Sequence, residues 1–436
     1  MVSDEAVFGD RRVDRSGGFL HQRLVRHGPR GISIRRLGGN RAGEVRIGRF
    51  LRNDKVTVEK IVDQAASGTA SRVAGLDVVA IQDTTSFRDD GLGNSLVGHA
   101  TIAVEGEHGA LLGLVDAQII ERQGGRDKGA KGRALCDKES QRWIDGMRAS
   151  GRLVAAGATR VTVVADREGD MYEMFADRPE GVEVVIRAAQ DRVVSQGAGR
   201  LFSSLADRPQ REHVIDLPAR PGQSKRAARI GVRFGRVTLE RPKNRPVESG
   251  VAAHQPVFLV EAREIDPPPG VTPAHWRLLT SHRVESFEQA RWITHLYRRR
   301  WVIEQLFRTI KSKGFDIESV SIETAPFTTL CAMTLVAGVS CMQMVQDRDG
   351  SAGRPLQDVF EAADRPALEA VSATLEGKTE KQKNPHPKGS LAFAAWVCAR
   401  LGGWTGYDGK PGPVVMLHGL YQFRAIQRGY QINHDV

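Results

Sequence analysis

Residues 297–311, YRRRWVIEQLFRTIK, set Tyr297, Arg300, Glu304 and Lys311 at steps of three, four and seven residues. Read as one helix, at about 100° per residue, these steps put all four side chains on one face. A carboxylate in line with an aromatic hydroxyl, a guanidinium and an ammonium suits handling a metal ion and a phosphate together. Arg308 lies on the same stripe and strengthens its positive sign. The plain alternative is a solvated helix face with alternating charges. Against it, Ile293, Leu296, Trp301, Ile303, Phe307 and Ile310 give the helix a side to bury. Ser286 with Gln289 can form a capping box at its start, and Gly314 reads as its stop, so the charged face is expected to point in a fixed direction.

Two further carboxylates come at the ends of apolar runs. LDVVAIQD ends at Asp83 and RVTVVAD at Asp166, and each run reads as a buried strand that delivers an aspartate at its edge. For either aspartate alone, a turn or helix-cap role is the competing reading. Three carboxylates on separate rigid elements make a cage for hard divalent cations, and Mg²⁺ is usually held by few carboxylates plus water and substrate phosphate. Two such ions about 4 Å apart can activate a water or a 3′-hydroxyl and stabilise the leaving oxygen at phosphorus. Asp83, Asp166 and Glu304 are therefore the expected catalytic metal ligands for two Mg²⁺ ions. Mn²⁺ satisfies the same oxygen donors.

The elements that must position these groups sit in a chain of 436 residues, 40% apolar and 26% charged, which is ordinary for a soluble globular protein of two or three structural units. The amino terminus lacks a signal pattern, and the longest apolar run, 330–344, is interrupted by Thr334, Ser340 and Gln343. The expectation is a cytoplasmic protein with no membrane segment. Cys136, Cys331, Cys341 and Cys398 show no paired spacing, which argues against a disulfide scaffold or zinc site and for buried thiols. Net charge is +11, and residues 11–60 hold 14 Arg and Lys against Asp14, Glu44, Asp54 and Glu59. Apolar residues interleave with those charges, so the segment is expected to fold into small helices and present arginines to a nucleic-acid backbone; a basic solubilising segment is the bland alternative.

Beyond the basic module, 56–73 reads as helix, 99–104 and 111–118 as strands, 123–133 as a flexible basic loop and 138–156 as helix. From about 193 to 281 the texture changes to short alternating strands; from 326 onward it is helical, with 359–375 amphipathic.

In several of these segments the chain resembles a known family. The pattern Tyr, two residues, Arg, three, Glu, six, Lys matches without a gap the signature of a large group of bacterial insertion-sequence transposases with a DDE catalytic triad. QDTT around Asp83, LGL at 112–114, KES followed by RW at 138–143, DREGDMYE around Asp166, WRLLTS at 276–281 and GGWTGYDGKPGP near the carboxy terminus look like the family's segments in the right order. The resemblance implies an α/β fold: a ribonuclease-H-like catalytic core (66–192 and 282–325) interrupted by a β-strand insertion (193–281). Flanking it would be a small helical DNA-binding domain (1–65) and a helical carboxy-terminal dimerisation domain (326–436). It also implies cut-and-paste transposition through hairpinned DNA ends, with double-stranded DNA as partner, both the terminal inverted repeats and the target, and a homodimer in the synaptic complex. Trp276 occupies the position where such enzymes stack an extruded base. Tyr297, Arg300 and Lys311 match residues that hold the adjacent phosphates, and Arg187 and Arg192 are further candidates for backbone contact.

Two other classes compete. A catalytically silent end-binding protein or repressor derived from a transposase has little use for three carboxylates facing phosphates. A metal-dependent nuclease that cuts without joining has no evident use for Trp276 or the cationic stripe.

Overall fold

A computed structural model of the chain describes residues 6–27, 31–89, 94–122, 140–195, 199–217, 224–242, 251–312, 314–407 and 409–434. The expected loop at 123–133 and Cys136 lie outside them. The chain divides into two compact units, one comprising 1–78, 84–126 and 302–436, the other 79–83 and 127–301.

The first unit is largely helical. Helices α1 (Arg11–His27), α2 (Ile34–Gly38), α3 (Arg41–Leu51) and α4 (Val58–Ala70) begin it. Side-chain oxygens of Ser33, Asn40 and Thr57 cap α2, α3 and α4 by accepting from backbone N–H groups of the first turn. α1 to α3 bury Leu20, Leu24, Leu37, Ile47 and Phe50 and leave Arg11, Arg12, Arg15, Arg35, Arg36, Arg41, Arg46 and Arg49 exposed, so the interleaved apolar residues do fold the basic segment into helices.

Strands β2 (Ser95–Glu105) and β3 (Leu111–Arg122) pair antiparallel in this unit, with a register shift at Ala103–Val104 that bulges Leu112 out of step. Thr69 of α4 and Gln343 of α10 (Thr324–Gln346) reach into the irregularity, donating to the carbonyls of Leu114 (2.6 Å) and Leu112 (3.1 Å). α10 is long and apolar enough to cross a membrane, yet 78% of its most apolar window is buried within the protein, where it packs on α1, α4 and β3. Helices α11 (Arg365–Leu375), α12 (Leu391–Leu401) and α13 (Pro413–His434) complete the unit. The amphipathic stretch expected at 359–375 forms a helix only from Arg365; a 3-10 turn at Ala362–Asp364 precedes it, held by reciprocal capping between Glu361 and Asp364. Cys331, Cys341 and Cys398 are buried free thiols.

The second unit is a sheet with helices. Its strand order is β1-β4-β5-β9-β8-β7-β6, formed by Val79–Asp83 of β1 (Asp77–Asp89), β4 (Arg160–Ala165), β5 (Val182–Arg187), β6 (Arg211–Leu217), β7 (Arg226–Glu240), β8 (His254–Glu264) and β9 (His275–Thr280). β4 and β5 are parallel; from β5 to β9 and onward to β6 every pairing is antiparallel. The short strands between 193 and 281 thus extend the sheet of β5 through β9. Before β4 come α5 (Gln141–Ala149) and α6 (Gly151–Ala155); α7 (Glu173–Ala176) lies between β4 and β5. α8 (Phe287–Arg298) packs on β4, β5, β7, β8 and β9.

Two sequence expectations are corrected. β1 does not end at Asp83 but continues to Asp89, placing the aspartate within the strand. The helix expected at 297–311 is two helices, α8 and α9 (Trp301–Lys311), separated by a turn at Arg299–Arg300. There the backbone tightens to i→i−3 hydrogen bonds, Arg299 N to Leu296 O and Arg300 N to Tyr297 O. Three successive guanidiniums leave in different directions: Arg298 toward Asp216 O, Arg299 toward His295, Arg300 toward Asp83. Tyr297, Arg300, Glu304 and Lys311 therefore do not share one uninterrupted helical face.

Candidate active site

The second unit gathers six of the expected site residues: Asp83, Asp166, Arg187, Trp276, Tyr297 and Arg300. β1 neighbours β4 in the sheet, and Asp166 follows the last residue of β4. Both strands are buried because their runs are apolar, Val79, Ala80 and Ile81 in one and Val161 to Ala165 in the other, and this fixes the backbone that carries each carboxylate.

Asp83 is ion-paired with Arg300, Nη1 to Oδ2 at 2.6 Å, with both side chains under one-fifth exposed. Asp166 caps the 3-10 turn Arg167–Gly169, its Oδ1 accepting from Glu168 N at 2.9 Å. Capping is therefore part of the role of this aspartate, and it orients the carboxylate at the strand end. The turn is buttressed from α5. Arg142 pairs with Glu168 at 3.1 Å, and Gly169 lies so close to Trp143 and Ala165 that a methyl there would fall 2.7 Å from the alanine Cβ. Arg142 and Trp143 thus meet the DREGDMYE segment in space.

Tyr297, at the end of α8, is only 4% exposed. Burial pushes its phenol above the ordinary tyrosine value and Asp166 adds to the rise, while Arg300 and Arg187 pull it down. Arg187 also donates to the carbonyl of His275 at 3.0 Å, tying β5 to β9. Trp276 is 8% exposed, its ring centroid 6.4 Å from that of Tyr297 at 58°. Around one phenol, then, are the Asp166 carboxylate, two guanidiniums and an indole, and one of those guanidiniums, Arg300, carries Asp83.

Arg192 is engaged elsewhere, in an ion pair with the fully buried carboxylate of Asp170, which also accepts from the backbone N–H of Ala189 (2.7 Å) and Gln190 (3.2 Å). Sequence reasoning misses Asp170. Its signal is its place in DREGDMYE, four residues after Asp166, but its partner lies 22 residues further on.

Glu304, Arg308 and Lys311 belong to the first unit, on α9; Lys311 pairs with Glu318 at 2.9 Å. The expected carboxylate triad is thus divided, two aspartates in one unit and the glutamate in the other. The oxygen-only character of the three ligands suits a hard divalent cation. Among the described residues, one group of three acidic or histidine side chains lies within metal-ligand reach of itself: Glu105, Glu107 and His108, at the turn joining β2 to β3. The Glu105 carboxylate already accepts from the backbone N–H groups of Glu107 (2.7 Å), His108 (2.6 Å) and Gly109 (3.3 Å), which accounts for its position as a turn cap.

Residues 161–338 match the transposase DDE domain family, a stretch that begins at β4, includes Asp166 and Glu304, runs into α10 and starts after Asp83. This match supports placing the chain among the DDE transposases and, with that, reading it as an enzyme that acts on DNA.

Proposed function

We propose that the protein is a DNA transposase that moves an insertion sequence by metal-dependent cleavage through hairpinned ends followed by strand transfer. The observation that carries the reading is the chain of contacts linking Asp83 to Arg300, and Arg300, Arg187 and Asp166 to Tyr297, on neighbouring strands and the end of α8. Asp83, Asp166 and Glu304 are the residues that would hold Mg²⁺ or Mn²⁺. The ion, when bound, supplies charge neutralisation and a more acidic hydroxyl at the reacting phosphate.

In this reading Arg300 and Arg187 offer charge-assisted donors to phosphate oxygens beside the scissile bond. Tyr297 presents a hydroxyl within the field of Arg187, and Trp276 provides an aromatic face for a base displaced from the stack as the end folds into a hairpin. The arginines of α1 to α3 would read the terminal inverted repeats, positioned by phosphate contacts and specified by side chains reaching base edges. Two copies would pair two ends, with the carboxy-terminal helices contributing to the dimer.

The test is Mg²⁺-dependent cleavage of a plasmid carrying the DNA that flanks this coding sequence, wild type beside Glu304→Gln, resolved on a denaturing gel. Hairpins that disappear in the variant are expected. Open cuts without hairpins would point to a nuclease, and tight binding without any product to a silent end-binding protein.

A further inference from the structure

We infer that Arg300 is a placeholder cation on Asp83 in the DNA-free protein, displaced when a DNA phosphate draws its guanidinium away, so that metal loading at Asp83 follows DNA binding. The inference rests on the proposed role of Asp83 as a metal ligand. The pair is short, 2.6 Å, and both partners are more than four-fifths buried, so each charge would be costly to leave alone. A divalent ion approaching Asp83 must therefore compete with a guanidinium already on Oδ2, and two cations on one carboxylate oxygen repel one another.

The two partners differ in freedom. Asp83 sits within a buried strand, fixed by its neighbours. Arg300 sits in the two-residue turn between α8 and α9, on a long stem whose planar fork binds carboxylate and phosphate oxygens in the same way. Arg187 shares the environment of Tyr297 with Arg300, so a phosphate arriving there meets two guanidiniums. Moving Arg300 from Asp83 to a phosphodiester oxygen exchanges one charge-assisted hydrogen bond for another of similar strength. The exchange leaves the carboxylate oxygen to the metal at the moment the substrate is present.

The test measures Mn²⁺ binding without turnover, by the electron paramagnetic resonance signal of free Mn²⁺. It uses the full-length wild type, Arg300→Gln, Arg300→Lys, Asp83→Asn, and Arg300→Gln combined with Asp83→Asn, each with and without a duplex of the DNA flanking the coding sequence. Circular dichroism confirms that each variant is folded. Without DNA, Arg300→Gln is expected to bind Mn²⁺ about tenfold more tightly than wild type, Arg300→Lys to stay near wild type, and the double variant to lose the gain. Adding duplex is expected to tighten wild type about tenfold and Arg300→Gln much less.

Equal Mn²⁺ affinity of wild type and Arg300→Gln, with Asp83→Asn still weakening binding, would overturn the placeholder role and leave the metal reading of Asp83 standing. If Asp83→Asn changed nothing in either background, the reading beneath it would fail as well. Equal tightening of wild type and Arg300→Gln by DNA would remove the coupling.

Discussion

A methyl group on Gly113 of β3 would lie 2.1 Å from the Thr69 hydroxyl oxygen of α4, the oxygen that donates to the Leu114 carbonyl at 2.6 Å. Helix and bulged strand touch through the absence of a side chain. Gly113→Ala is expected to destabilise the protein by about 2 kcal/mol or more, read as a lowered denaturant midpoint with an unchanged slope. A midpoint equal to wild type would show that the helix can retreat at no cost.

Arg192 and Asp170 make a buried pair, with side-chain exposures of 16% and 0%. Arg192→Ala leaves the Asp170 carboxylate without its cation, and a loss of about 3 kcal/mol of stability in DNA-free protein is expected. Full thermal stability with reduced DNA affinity would assign Arg192 to the DNA surface instead.

Asp347, after α10, is fully buried. One of its oxygens accepts from Arg354 N at 3.2 Å, and the other has no hydrogen-bond partner. Burial pushes its carboxyl up to about 6 from an ordinary 3.8. Between those two values the folded protein holds a proton that the unfolded chain releases, so this residue's contribution to stability falls as pH rises from about 4 to 6. The loss is at most about 3 kcal/mol and is complete above pH 6. Asp347→Asn is expected to flatten the melting temperature across that window and raise it at pH 7; a thermal shift series from pH 4 to 7 decides.

Arg41 and Arg49 are exposed on α3, with Arg41 81% exposed at its side chain. If α3 meets the DNA backbone, replacing either with Ala weakens binding to all sequences alike and lowers the slope of log affinity against log salt by about 0.9. Fluorescence anisotropy at several salt concentrations measures it, and an unaltered slope would move the contact away from α3.

Trp276 faces Tyr297 and is nearly buried, so removing it risks the fold as well as the chemistry. Comparing Phe with Ala separates the two. Trp276→Phe should keep both stability and hairpin formation, and Trp276→Ala should lower hairpin yield about tenfold or more relative to nicking, the worth of one stacked base. Parallel loss of nicking and hairpins would mark Trp276 as a packing residue.

Much of the fold is legible in the chain because burial writes continuous apolar runs. β4 and the first half of β1 are visible as VTVVA and VVAI, and Ser286 with Gln289 forms the capping box its spacing announces. The second half of β1, after Asp83, is not legible. The polar residues of TTSFRD read as a turn, yet the strand persists, with Phe87 buried and closely facing Gly98 of β2. Nor is the break at Arg299–Arg300, because no glycine or proline marks it; the cause is tertiary, three arginines drawn to partners on other elements or the preceding turn. The same holds for Asp170 with Arg192, a pairing invisible until β5 returns the chain beside the turn.

The first helix of the chain rests on the last. α1 packs against α10 and α13, and His21 is driven down to about 4 by burial and by Arg424 of α13. During synthesis, α1 leaves the ribosome nearly 400 residues before α13, an interval of about 20 to 80 seconds. Through that time α1 has α2, α3 and later α10 to pack on, but the part of its surface that rests on α13 stays uncovered. A message cut short before Pro413 would yield a polypeptide whose amino-terminal helix keeps one flank bare, a surface open to chaperones or proteases.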